Sequence, residues 1–230
     1  MEQPNNSGDT VETPTTGLRN FSGLQTRAIS GVVMAVMVLS ALWMGGILFI
    51  ALIMLVALQM IREWDRLTFD ENILWRLAGL AYVAVPCMSL LWLRNQPEGI
   101  YLVLTLLLII WATDIGAYFS GRFAGGPKLA PAISPNKTWA GLIGGMVAAA
   151  VVAAIATSFS PTPASVSGAL WAGMVLAILG QAGDLFESWL KRRAGVKDSG
   201  SLIPGHGGLL DRVDGLILAT PVFACMAHYT

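Results

Sequence analysis

Residues 28–61 read AISGVVMAVMVLSALWMGGILFIALIMLVALQMI, an apolar run broken only at Met44-Gly45-Gly46. How this run is divided decides the fold. As one helix it would measure roughly 50 Å, against a hydrocarbon core of about 30 Å. The two glycines offer a turn. The run therefore predicts two short spans, 28–44 and 46–61. Five more apolar stretches of spanning length follow, at 76–93, 99–120, 138–158, 167–190 and 212–229. The expected fold is all-α, a polytopic integral membrane protein of about seven transmembrane helices.

Composition agrees. Of 230 residues 55% are hydrophobic and 12% charged, and mean hydropathy is +0.65. A soluble domain carries about 25% charged residues. Fourteen basic residues balance fourteen acidic ones, so no global field points to nucleic acid, and none is expected as a partner. Cys87 and Cys225 lie in apolar runs and read as small buried hydrophobes. Residues 1–25 are polar and read as a disordered cytoplasmic tail. Segment 26–95 then holds the N-terminal membrane helices, and 96–230 a catalytic membrane region. The first apolar run starts too late for a signal peptide and reads as a retained span.

Basic residues favour cytoplasmic loops. Arg19 and Arg27 precede the first span, and Arg62, Arg66 and Arg76 follow the second. Arg122, Lys128 and Lys137 follow the fourth; Lys191, Arg192, Arg193 and Lys197 follow the sixth. The opposite loops hold only Arg94. This partition places the N-terminus inside, and it works only if 28–61 is two spans.

A charge in hydrocarbon costs about 2.5–3.5 kcal/mol even on insertion scales, so intramembrane acids mark cavities, partners or ions. Asp114 lies in the fourth span, Asp184 and Glu187 in the sixth, and Asp211 and Asp214 open the seventh. With the spans alternating, all five fall toward the cytoplasmic face, where the active site is expected. Clustered carboxylates with few His and no Cys ligand spacing suit a hard divalent cation such as Mg²⁺, which keeps waters and takes phosphate oxygens. Between the spans, Gly121–Thr138 supplies glycines, cations and hydroxyls before a helix start, a setting that favours anions. Gly205-His-Gly-Gly208 leads into the seventh span in the same way. Gly141 and Gly145 form a small-residue pair that serves either close packing within the chain or a homodimer face.

The stretch Ser188–Asp214 resembles the C-terminal signature of the phosphatidate cytidylyltransferase family. Ser188, Lys191, Arg192, Lys197, Asp198, Gly200, Pro204, His206, Gly207, Gly208, Asp211, Arg212 and Asp214 match it in register. Asp114–Arg122 and Ile133–Thr138 resemble the family as well, so the likeness covers about residues 110–230. Two positions depart from it: Asn136 stands where the family more often has lysine, and Ala140 where it has glutamate. Lys137 and Thr138 remain.

The resemblance implies a bacterial inner-membrane enzyme joining CTP and phosphatidic acid into CDP-diacylglycerol and pyrophosphate, with Mg²⁺, a possible second cation, and a homodimeric assembly. It implies that Asp184 and Asp211 hold the metal. Lys191, Arg192, Lys197 and Arg212 are then expected to hold phosphates, and His206 to donate to a phosphate oxygen. Asp214 is expected to orient Arg212, and Asp198 to pair with a loop cation. Asp114, Lys137, Thr138, Ser188, Gly207 and Gly208 are expected to line the substrates. A phosphate monoester is largely dianionic at neutral pH because its second pKa is about 6, so it attacks without a dedicated base.

Three other readings compete. A sibling enzyme would use CTP with another lipid phosphate or lipid alcohol, as in archaeol-type cytidylyltransferases or polyprenol kinases. A CDP-alcohol phosphotransferase needs a D-G-x-x-A-R pattern, which is absent after Asp214-Gly215. An ion-coupled transporter tends to carry its acids near the midplane, within paired repeats. Here the acids gather at one face.

Overall fold

The computed structural model describes residues 16–69, 72–160, 165–202 and 207–229. They form seven helices: α1 (Thr16–Met44), α2 (Gly46–Leu67), α3 (Ile73–Arg94), α4 (Gly99–Ala124), α5 (Trp139–Thr157), α6 (Val166–Arg193) and α7 (Leu210–Tyr229). The break in the first apolar run is where the glycines put it. Gly45 and Gly46 adopt φ of 63° and 53°, a region costly for residues with a Cβ. Arg94, at the end of α3, closes this corner by donating from Nε to the Leu42 carbonyl at 2.7 Å.

Helix α1 begins at Thr16, inside the segment read as tail, and residues 1–15 lie outside the described residues. Helices α2, α4 and α6 also outrun their apolar windows, to Leu67, Ala124 and Arg193. At the end of α2, Glu63, Trp64 and Leu67 are buried, which hydropathy does not register; the last turns of α4 and α6 are largely exposed. Five helices, α2 to α6, are long and apolar enough to cross a membrane, and Ala28–Met44 is a shorter apolar helix. In α7, Asp211, Arg212 and Asp214 at one end and His228 at the other dilute the apolar content.

The helix ends sort onto two faces. At one, Glu63 of α2 meets the start of α7, and Arg192 of α6 reaches the Ile133 carbonyl. At the other, Arg94 meets α1, Tyr101 of α4 donates to the Ala156 carbonyl of α5 at 3.0 Å, and Trp92 meets His228 of α7 with ring centroids 5.8 Å apart. Neighbouring helices thus run up and down.

One feature departs from an all-α fold. Within the Gly121–Thr138 loop, β1 (Lys128–Ala130) and β2 (Ser134–Thr138) pair antiparallel, with Lys128 opposite Thr138 and Ala130 opposite Ser134. Pro127, Pro131 and Pro135 deny this stretch a helix, and short paired strands satisfy its backbone instead. Thr138 then caps α5, accepting from the Gly141 N–H at 3.0 Å.

Helix α4 is central, burying Val103, Leu106, Ile109, Ile110 and Thr113 while touching α3, α5, α6 and α7. Small residues set the spacing around it. A Cβ on Gly141 would sit 3.0 Å from the Ala117 carbonyl oxygen, and one on Gly145 2.9 Å from that of Thr113. The Gly141/Gly145 face is therefore spent on α4 within the chain. Helices α6 and α7 meet at Gly180 and Gly215, where a Cβ on Gly180 would stand 3.3 Å from the Gly215 carbonyl oxygen. One turn on, a Cβ at Gly183 would collide with the Asp214 carbonyl. Forcing a side chain into such a contact costs about 1–3 kcal/mol. Gly183→Val is expected to lower stability by at least that amount, read as a fall in the thermal midpoint of the detergent-purified chain.

Candidate active site

The close approach of α6 and α7 brings their acids together with the hairpin. Lys137, carried by β2, points at α6, where its ammonium lies 2.5 Å from Asp184 Oδ2 and donates to Gln181 Oε1 at 2.9 Å. Ser188, one turn beyond Asp184, donates to Asp184 Oδ1 at 3.3 Å. The hairpin is fastened to the same helix by the Arg192–Ile133 contact.

A second group forms at the end of α6 and the start of α7. Lys191 pairs with Asp211 Oδ1 and lies 3.2 Å from Glu187 Oε1. Glu187 is 1% exposed, and among the described residues neither of its oxygens receives a hydrogen bond. The Lys191 charge is what faces it. Asp211 Oδ2 accepts from the Ser199 N–H at 2.9 Å, the Ser199 hydroxyl at 3.0 Å and the Gly208 N–H at 3.0 Å. With Oδ2 filled, Oδ1 is the oxygen left for a cation.

The two groups are continuous. Asp114 and Asp214 both lie within electrostatic reach of Asp184 and of Lys137. Asp214 acts in turn on Glu187, and it holds its own orientation by accepting from the Gly215 N–H at 2.8 Å. A line of carboxylates thus runs from α4 across α6 to α7, interrupted by two ammonium groups. Among the described residues no three ligand-type side chains close around a single point. The oxygens of Asp184 and Asp211 that meet ammonium groups here are suited to a hard cation whose remaining shell comes from water or phosphate.

The structure brings Asp114, Lys137, Asp184, Ser188, Lys191, Asp211 and Asp214 into this line. Thr138 is 5% exposed and its hydroxyl is engaged as the α5 cap. Lys197 and Asp198 are exposed on the loop after α6, and Arg192 and Arg212 are exposed beside it. Gly207, at φ 82°, and Gly208 shape the turn into α7. A Cβ on Gly207 would sit 3.1 Å from Asp211 Oδ2. His206 lies outside the described residues.

Two features escaped sequence reading. One is an aromatic wall: Trp64, Trp75, Tyr82, Phe186 and Trp189 pack with neighbouring centroids 5.0–6.4 Å apart, and Arg193 lies over Trp75 at 5.0 Å. The other is Glu63. It is 0% exposed and accepts from the Leu209 N–H, the Leu210 N–H and the Ser199 hydroxyl. In the sequence it sits in Arg62-Glu-Trp-Asp-Arg66, where alternating charges look like an ordinary solvated helix end.

A family model described as the cytidylyltransferase family matches residues 69–230, a segment that contains every site residue expected from the sequence. The chain belongs to the cytidylyltransferase family. It is similar to a protein of Brucella suis named phosphatidate cytidylyltransferase, at 37% identity with 86% of this chain and 91% of the relative covered. Relatives of the same name from Rickettsia bellii and Rickettsia prowazekii are 39% and 36% identical. The first alignment covers 87% of this chain and 89% of the relative; the second covers 92% and 95%. The N-terminal helices are thus included in these likenesses although they precede the family match.

Removing one partner of a buried ion pair costs about 3–5 kcal/mol, because the other charge is left bare. Lys191→Met is expected to destabilise the chain on that scale, and Lys191→Met/Glu187→Leu to recover part of it. Thermal unfolding of the detergent-solubilised variants checks both.

Proposed function

We propose that this chain is a membrane-embedded CTP-dependent nucleotidyltransferase that converts CTP and phosphatidic acid into CDP-diacylglycerol and pyrophosphate. One observation carries the reading: Asp114, Lys137, Asp184, Lys191, Asp211 and Asp214, all expected as site residues from the sequence, lie together at one end of α4, α6 and α7. Exposed apolar side chains of α4 such as Ile115, Tyr118 and Phe119 lie beside that end, and Arg192, Lys197 and Arg212 are exposed at it, so in this reading a lipid phosphate comes from the bilayer side and a nucleotide from water.

In the reaction a phosphate oxygen of phosphatidic acid forms a bond to the α-phosphorus of CTP. The bond from that phosphorus to the β-phosphate oxygen breaks, and pyrophosphate leaves with the electron pair. Such transfers depend on positioning and charge neutralisation. Lys137 and Lys191 supply cations inside the line, and Arg192, Lys197 and Arg212 supply them at its exposed edge. His206 of the signature donates to a phosphate oxygen. Asp184 and Asp211 would hold Mg²⁺, through the oxygens that meet Lys137 and Lys191 in this structure. Bound there, the ion supplies neutralising charge at the phosphate oxygens.

The same reading takes all seven helices as spans of a bacterial inner membrane, with the N-terminus and the site at the cytoplasmic face. The distribution of basic residues supports that orientation. The homodimer expected from the resemblance draws no support from Gly141 and Gly145, which pack on α4.

Purified chain given CTP and a panel of lipid phosphates is expected to form CDP-diacylglycerol from phosphatidic acid in preference to the others; no product from phosphatidic acid would refute the proposal. Asp184→Ala and Asp211→Ala are each expected to cut Mg²⁺-dependent pyrophosphate release by about 1,000-fold or more, the scale of losing a charge-stabilising group in phosphoryl transfer. Wild-type turnover in both would remove the metal assignment. Pro97→Cys and Gly126→Cys, in a chain otherwise lacking cysteine, are expected to react with an impermeant maleimide from opposite sides of the membrane, Gly126→Cys from the cytoplasmic side.

A further inference from the structure

We propose that Glu63 is a positioning residue for Asp211, and that α2 thereby takes part in the active site from outside the matched family segment, which begins at residue 69. The inference rests on the reading of Asp211 as a metal-holding carboxylate.

Glu63 is fully buried, and four neutral donors fill its two oxygens. Oε1 accepts from Gln59 Nε2 at 2.9 Å and from the Leu209 N–H at 2.9 Å. Oε2 accepts from the Leu210 N–H at 2.8 Å and from the Ser199 hydroxyl at 2.9 Å. The two amides belong to the start of α7, where unpaired N–H groups and the helix dipole favour a negative charge. Most helices draw such a cap from the residue preceding them. Here the cap comes from a different helix, so it fixes where α7 begins relative to α2.

Ser199 carries that constraint to Asp211. Its hydroxyl has one proton and stands 2.9 Å from Glu63 Oε2 and 3.0 Å from Asp211 Oδ2, so the two carboxylates share a single donor. Among the described residues, the partners of Asp211 Oδ2 thus belong to a residue that touches Glu63 or adjoins one that does: Ser199, through its N–H and hydroxyl, and Gly208, beside Leu209. The glycines of the signature fit this arrangement. A Cβ on Gly200 would lie 2.9 Å from Glu63 Oε1, and one on Gly208 2.7 Å from Oε2. At these two positions the loop is stripped of side chains where the carboxylate from α2 enters. A group that orients a metal-holding carboxylate is typically worth about 10–100-fold in metal affinity.

Mn²⁺ binding to the full-length chain in detergent, followed by electron paramagnetic resonance without substrates, tests this. Glu63→Gln keeps the shape but turns one acceptor into a donor that faces N–H groups, and Ser199→Ala removes the shared hydroxyl. Each is expected to raise the Mn²⁺ Kd by about tenfold or more, and the double variant to fall short of the product of the two, since both act through one contact. Met60→Ala, also buried on α2 and facing an apolar gap with Pro86, Cys87 and Leu216, is the control for destabilisation and is expected to bind Mn²⁺ like the wild type. Affinity within twofold of wild type in Ser199→Ala and in folded Glu63→Gln would overturn the proposal. So would an equal loss in Met60→Ala, or a wild-type chain that binds no Mn²⁺. Should Glu63→Gln not fold, Ser199→Ala decides alone. A wild-type chain that binds Mn²⁺, loses affinity in both variants and yet makes no CDP-diacylglycerol would refute the activity and leave the role of Glu63 standing.

Discussion

The backbone contact between α6 and α7 governs the site. Gly180, Gly183 and Gly215 let two helices that carry acids approach until a carbonyl of one occupies the space a side chain on the other would need. Where lipid supplies no hydrophobic drive between helices, small residues permit the packing that holds them together. The same contact fixes the spacing of Asp184, Glu187, Asp211 and Asp214. Lys137 and Lys191 then become necessary, since carboxylates so confined need cations near them. Packing, electrostatics and chemistry here share one origin.

Much of this was legible in the chain. Each of the seven helices overlaps the apolar stretch that predicts it, because a spanning segment announces itself through length and composition. The turn at Gly45-Gly46 was legible for a different reason: a helix spanning the whole run would not fit a bilayer. The acids of α4, α6 and α7 stood out because charge is rare around them. The family signature placed Lys191 and Asp211 in one loop region, and the structure joins them directly.

What the sequence withheld is contact between distant segments. Glu63 and Leu210 lie in helices that meet only in the folded chain, and no local pattern distinguishes a carboxylate bound for burial from one bound for water. The hairpin at Lys128–Thr138 was hidden in a loop because strands this short carry no alternation to read. Thr138 offers a hydroxyl to a ligand or to a helix end with equal plausibility in sequence, and the α5 amide claims it.

The corner at Gly45 and Gly46 bears on how the chain is made. In the proposed topology α1 and α2 emerge from the ribosome as a helical pair joined by almost nothing. No polar loop must be hauled across the bilayer, since the corner's carbonyls are met later by Arg94. Glu63, near the end of α2, is made well before the last helix, whose first amides it accepts from, so the active site closes at the end of synthesis around an anchor laid down near its start.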